Sequence, residues 1–203
     1  MQASSWGATH SLLPLHTVRC CRYPFTACEV LCCELEAVFN TLLEDAALMQ
    51  LLFSLLDRPA PLDCKTAGYF GRVVGNLLLR KGAEMLDYMQ KEGTPLLTKL
   101  VKHVDTTSIA DIIKRMVGAD DQSSLMGSPS AAMSPWLAST PLLELLLERL
   151  NASNSPEAQS NSADILSSTA NSQPSPLAAK LAEPVAVTAL VRQNVAGAAG
   201  VIA

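Results

Sequence analysis

The chain has 203 residues, enough for one domain with tails, and 49% hydrophobic against 17% charged residues allows a sizeable buried core. A net charge of -4 gives no support for the basic face of a nucleic-acid binder. No uncharged apolar run reaches the roughly 18 residues of a membrane span; the nearest, Val185 to Ala203, is interrupted by Arg192, Gln193 and Asn194.

Aromatic residues are only 4%, and Leu and Ala supply most of the apolar bulk, which favours helix over strand. Residues 1–22 show no clear period and are expected to be irregular or disordered, although their lack of acids and the presence of Arg19 and Arg22 faintly resemble a transit peptide. Order is expected to begin at Tyr23. Thr26 and Glu29 form a capping-box pair, with Phe25 and Val30 spaced for a hydrophobic staple. A short helix follows over Leu35 to Leu43. Asp45 then caps a third, whose wide apolar face carries Leu48, Met49, Leu51, Leu52, Leu55 and Leu56, and Pro59 and Pro61 stop it.

Asp63 caps a helix reaching about Lys81, and Gly82 and Gly93 bracket another. Thr94-Pro95 opens the next, a capping residue followed by proline at the first helical position, with Leu96, Leu97, Leu100, Val101 and Val104 on one face. Ile109, Ile112, Ile113, Met116 and Val117 then follow the amphipathic helical template. The stretch of about 118–139 is rich in Ser, Gly, Pro and Ala and reads as a loop or insertion. Thr140-Pro141 opens a Leu-rich helix to Leu150, Asn151 to Gln159 reads as a polar linker, and Ser160 to Ala170 as a weak helix. Ser175-Pro176 starts the last helices, which fade into a Gly/Ala-rich tail over 193–203.

The proline-opened helices suggest a repeat. Thr94-Pro95-Leu96-Leu97 and Thr140-Pro141-Leu142-Leu143 lie 46 residues apart, and Ser175-Pro176-Leu177-Ala178 follows 35 residues later. The first two each lead to a second short helix carrying Ala-Asp-Ile-Ile or Ala-Asp-Ile-Leu, at Ala110 to Ile113 and Ala163 to Leu166. Helix pairs recurring at roughly 35–47 residues are read as HEAT or armadillo-like arrays. The expected fold is therefore an all-α, HEAT/armadillo-like helical-repeat solenoid, with an irregular helical bundle as the alternative.

Chemistry-bearing residues are sparse. Five of the six cysteines, Cys20, Cys21, Cys28, Cys32 and Cys33, crowd together and Cys64 stands apart, a pattern of reduced thiols rather than a secreted disulfide framework. Cys28 and Cys32 share a helix face, yet no second ligand pair at zinc spacing accompanies them, and core packing is the expected role. Gly68, Gly71 and Gly75 share another face but lack the Gly-Lys-Ser/Thr ending of a phosphate loop; close approach of a neighbouring helix explains them. His103 is remote from any evident nucleophile, and Glu44-Asp45 and Asp120-Asp121 fit capping and solvation. No catalytic residue, metal or cofactor is expected. Arg72, Arg80, Lys81, Lys99, Lys102, Lys114 and Arg115 give the central helices basic faces, either solvated surface or a groove for an acidic partner. Ser128-Pro129 and Ser134-Pro135 are candidate sites for proline-directed kinases.

Several segments also resemble a known family. Tyr23-Pro24-Phe25-Thr26-Ala27-Cys28-Glu29-Val30-Leu31 is similar to the entry segment of the SAPS-domain proteins, regulatory subunits of protein phosphatase 6 and its yeast counterpart. The Tyr69 to Lys81 helix resembles that family's "FF-K-V" helix with its closing Arg-Lys. Thr107 to Met116, Pro135 to Glu144 and Gln159 to Leu166 match further segments in family order, so that the likeness covers about Arg22 to Arg192. The resemblance implies a SAPS-like repeat domain over 23–192. It also implies binding to a PP2A-like serine/threonine phosphatase catalytic subunit, no catalysis by this chain, and a cytoplasmic or nuclear setting; no nucleic-acid or membrane partner is expected from the charge and hydropathy above. The two ends depart from the family pattern, and 23–192 reads as an interior piece of a longer solenoid. A helical-repeat adaptor for another protein partner is the alternative function.

Overall fold

A computed structural model describes residues 15–33, 35–118, 130–172 and 175–201, with side chains described within 23–33, 35–118, 133–172 and 175–193. Among the described residues there are eleven α-helices and no strand. They are α1 (Leu15–Leu31), α2 (Glu36–Glu44), α3 (Ala46–Phe53) leading into a 3-10 turn (Ser54–Asp57), α4 (Cys64–Arg80), α5 (Gly82–Lys102), α6 (Thr107–Val117), α7 (Ser130–Ser139), α8 (Leu142–Arg149), α9 (Pro156–Asn171), α10 (Pro176–Leu181) and α11 (Pro184–Val201).

The helices stack in register. α4, α6 and α9 pack successively on one another. The 3-10 turn, α5, α8 and α11 do the same in a second row, and α7 packs on α10 in a third. The units α5–α6–α7 and α8–α9–α10 are thus equivalent three-helix repeats, and α11 occupies the place that α5 and α8 hold before it. This is the armadillo arrangement, with each unit contacting its neighbours in line.

The sequence explains the central row. In α6, Ile109, Ile112, Ile113 and Met116 are at most 1% exposed because their helical spacing puts all four on the face between α4 and α9. Burying side chains of this size stabilises by roughly 1.5–3 kcal/mol each. On α4, Gly71 and Gly75 let α6 come close: a Cβ at Gly71 would lie 3.1 Å from the Ser108 Cβ, and one at Gly75 would lie 2.7 Å from the Arg115 Nη1. Gly93, at φ 63 and ψ -146, kinks α5 just before Thr94-Pro95, in a region of backbone space nearly restricted to glycine. Gly118, at φ 81, ends α6 in the left-handed region.

Several local expectations change. Residues 15–22 are helical, so the expected irregular start is reduced to Met1–Pro14, which lies outside the described residues. α1 therefore runs through the supposed cap. Glu29 turns to α4 and pairs with Arg72 rather than reaching back to Thr26, and Phe25 lies against the Tyr69 ring at 6.4 Å rather than against Val30, which is exposed. Tertiary partners outweigh a capping signal read from four residues. Asp45 and Asp63 do cap α3 and α4, accepting from the Ala47 N–H at 2.8 Å and the Thr66 N–H at 2.9 Å.

The inserted loop shrinks as well. Residues 119–129 lie outside the described residues, but Ser130–Ser139 is helix α7, whose Met133 and Leu137 are buried at i, i+4 spacing that the Ser/Pro/Ala composition conceals. Thr140 does not cap α8; its hydroxyl donates back to the Leu137 carbonyl at 2.7 Å. The polar linker ends at Ser155, which caps α9 by accepting from the Ala158 N–H at 3.2 Å. The Gly/Ala stretch does not begin a tail at 193, since α11 continues to Val201. Finally, Ser175-Pro176 opens α10, the third helix of its unit. The in-register successor of Pro95 and Pro141 is Pro184, which starts α11, 43 residues after Pro141.

Candidate functional site

The basic side chains singled out from the sequence act as ties between neighbouring elements. Arg72 of α4 pairs with Glu29 of α1, and the hydrogen bond to that carboxylate raises the guanidinium pKa further. Lys81 reaches Glu36 of α2 at 3.1 Å, and Lys99 reaches Asp57 of the 3-10 turn at 2.6 Å. Lys102 donates to the Arg58 carbonyl at 3.2 Å. Lys114 of α6 meets Asp164 of α9 at 3.3 Å, joining one Ala-Asp-Ile helix to the other. Arg115 lies over Gly75, and neither it nor Arg80 is without a partner. The bases are therefore distributed along the stack, each engaged locally, rather than gathered in one free patch.

The kinase candidates separate. Ser128 lies outside the described residues. Ser134 is 5% exposed, its Oγ 2.7 Å from the Ser175 Oγ, which joins α7 to α10. A kinase reaches Ser134 only if α7 opens.

The remaining polar candidates are packing groups. His103 is fully buried, and its Nε2 lies 3.0 Å from the Leu56 carbonyl, pinning the end of α5 to the 3-10 turn, while Nδ1 has no hydrogen-bond partner among the described residues. Asn161 does similar work, its Nδ2 donating to the Val104 carbonyl at 2.8 Å and so fixing α9 to the turn after α5. Cys28 is buried with its Sγ 4.0 Å from that of Cys32 and 3.7 Å from the Tyr69 carbonyl, and burial followed by the neighbouring Cys32 pushes its pKa up to about 11. Among the described residues no group of three or more His, Cys, Asp or Glu side chains is placed to hold a metal. Asp45 is a cap, and Asp120-Asp121 lies outside the described residues.

Several grooves open on the described surface, one of about 350 Å³ between α1, the 3-10 turn and α4 beside Arg58 and three others. One, of about 590 Å³, lies between α1, α2 and α3 and is walled by Leu31, Val38, Leu42, Leu48 and Leu51. A second, of about 270 Å³, lies between the 3-10 turn and α5, where Lys99 and Asp57 face each other beside Tyr88. The third, of about 390 Å³, lies between α8 and α11, with Leu143, Leu147 and Ala186 below and Glu144, Glu148 and Glu183 around it. Sequence reasoning missed this last site. Its signal was the i, i+4 pair Glu144 and Glu148 on an otherwise Leu-rich helix, together with the correct frame for α11.

Stacked three-helix units define a helical-repeat solenoid, a class whose extended surfaces bind other macromolecules. The family model described as SIT4 phosphatase-associated protein, SAPS, matches residues 74–200, more than half of the chain, and the chain belongs to that family. It is 28% identical over 145 residues to the human serine/threonine-protein phosphatase 6 regulatory subunit 2, covering 71% of this chain and 14% of that protein. It is 28% identical over 153 residues to the extragenic suppressor of kinetochore protein 1 of Schizosaccharomyces pombe, covering 75% of this chain and 17% of that protein. With the chicken phosphatase 6 regulatory subunit 3 it shares 25% identity over 145 residues, 71% of this chain and 16% of that protein. The chain thus spans less than a fifth of the length of these relatives. No solved structure matches it.

Proposed function

We propose that this chain is the helical-repeat part of a regulatory and scaffolding subunit that binds a PP2A-like serine/threonine phosphatase catalytic subunit, of the protein phosphatase 6 type, and sets its activity or targeting. The family match over 74–200 carries the reading, and the names of the human and chicken relatives as phosphatase 6 regulatory subunits support it. The chain supplies contact surface and not chemistry: its buried histidine is occupied in joining α5 to the 3-10 turn, and its most buried described thiol is held protonated. In this reading the complex works in the cytoplasm or nucleus.

The test is purification of the tagged chain from cells and, separately, mixing with purified catalytic subunit. Recovery of a phosphatase 6 type catalytic subunit in both is the expected result. Its absence from both, with a different protein recovered in stoichiometric amount, replaces this reading with that of an adaptor for another partner.

A further inference from the structure

We propose that the groove between α8 and α11 docks a basic amphipathic segment of a protein partner, with apolar side chains on the groove floor and Lys or Arg side chains along its rim. The inference goes beyond the phosphatase reading and does not depend on it. The floor is built from Leu143 and Leu147 of α8 and Ala186 and Ala189 of α11, and Val185 stands 78% exposed beside it.

The rim fixes the sign of the occupant. Three glutamates line the groove, Glu144, Glu148 and Glu183, against one base, Lys180. Lys180 is already engaged, donating to the Thr140 carbonyl at 2.9 Å and pairing with Glu144 at 3.0 Å. Glu148 and Glu183 are exposed, and their carboxylates have no ion-pair partner among the described residues. An apolar floor with two uncompensated carboxylates selects a segment that is apolar on one face and positive at its edges, and disfavours an acidic one. The other grooves described differ: the one between α1, the 3-10 turn and α4 has a base, Arg58, as its charged lining side chain. At the 3-10 turn and α5, Lys99 pairs with Asp57 across the mouth, which leaves Glu92 as the single further acid. The larger α1–α3 groove is lined by no charged side chain, so nothing there selects an occupant.

The test uses the full chain and a short fluorescent helical peptide with Leu at i, i+3, i+4 and i+7 and Lys on its flanks, read by anisotropy. A second peptide carries Glu in place of every Lys. The Lys peptide should bind, and the Glu peptide should not. Glu148→Lys with Glu183→Lys should weaken the Lys peptide by about tenfold or more, since two exposed charge pairs become repulsive. Ala189→Phe, which fills the floor and leaves the charge unchanged, should weaken it comparably. Thermal melts like that of the parent establish that both variants fold; if one does not, chemical-shift mapping on the parent decides, with perturbations expected on α8 and α11. Equal binding of the two peptides overturns the proposal. So does a loss confined to the charge variant, which marks general attraction, or mapping to another face. Self-association of the chain that Ala189→Phe abolishes would make a second copy the occupant and would equally overturn it.

Discussion

The central row and the N-terminal corner are built from the same kinds of residue and end in opposite states. α6 lies between α4 and α9, and its Ile109, Ile112, Ile113 and Met116 are almost completely sealed from water. α2 and α3 pack mainly on each other and on the 3-10 turn. There Leu51 is 70% exposed and Leu35 57%, and only Phe39, Met49 and Phe53 are buried within the two helices. Amphipathic pattern is a property of the helix, but burial in a solenoid is a property of position. A helix with neighbours on two sides buries two stripes, whereas one at a corner leaves the second stripe as a groove.

The largest test of this contrast is a pair of truncations. Ile113→Ala should destabilise the chain by about 2–5 kcal/mol, since it removes a fully buried branched side chain from between two helices. Leu51→Ala should change stability by less than about 0.5 kcal/mol, as expected of an exposed position. Denaturant unfolding measures both, and similar losses would break the comparison. The next effect is kinetic. At pH 8 Cys28 should react with iodoacetamide about a hundredfold more slowly than the exposed Cys33, because it is buried and its thiol is protonated up to about pH 11. Mass spectrometry of partly labelled protein gives the ratio. Comparable rates would show that the α1–α4 contact opens readily and that the corner is looser than its burial implies.

How much of this was legible depends on the range of the signal. The faces of α5 and α6 could be read directly, because Leu96, Leu97, Ile112 and Ile113 follow the helical period and are all buried. The caps at Asp45 and Asp63 were legible for the same local reason. The role of α7 was not, since its composition is that of a loop and its Met133 and Leu137 become core only against α5, α6 and α10. The frame of the last repeat was misread because Ser175-Pro176 is as good a helix start as Thr140-Pro141, and only stacking distinguishes the third helix of a unit from the first. The seven bases were seen as basic faces, but Glu29, Glu36, Asp57 and Asp164, the partners of Arg72, Lys81, Lys99 and Lys114, lie tens of residues away. Long-range pairing decides whether a charge joins repeats or remains open to a partner.

Smaller changes sharpen the account of the central row. Gly71→Ala should cost about 1 kcal/mol net: the new methyl meets the Ser108 Cβ at 3.1 Å and its backbone oxygen at 3.2 Å, so α6 must shift, and this outweighs the helix-propensity gain. Gly75→Ala should cost less than Gly71→Ala, because the atom it meets is the far end of the flexible Arg115 side chain rather than backbone, and the helix gains propensity. Equal costs would mean that the two glycines do not distinguish rigid from flexible contact. Lys114→Ala should lose no more than about 1 kcal/mol, since the pair with Asp164 is partly solvated.

The smallest effect concerns the base of the central row, where Asp63 starts α4. Hydrogen bonds from the Thr66 N–H and Oγ hold its carboxyl below the ordinary value of 3.8. The folded state therefore favours the carboxylate more than the unfolded chain does. The resulting stability is whole above the unfolded value and is lost as pH falls through the lower folded value. Asp63→Asn keeps a capping side chain and removes the proton. Its stability deficit relative to the parent should accordingly be constant between pH 5 and 8 and shrink below about pH 4 in acid unfolding curves. A deficit that stays constant through the acid range would mean that the cap is held by shape alone. The stack would then rest on α4 packing without help from the charge at its start.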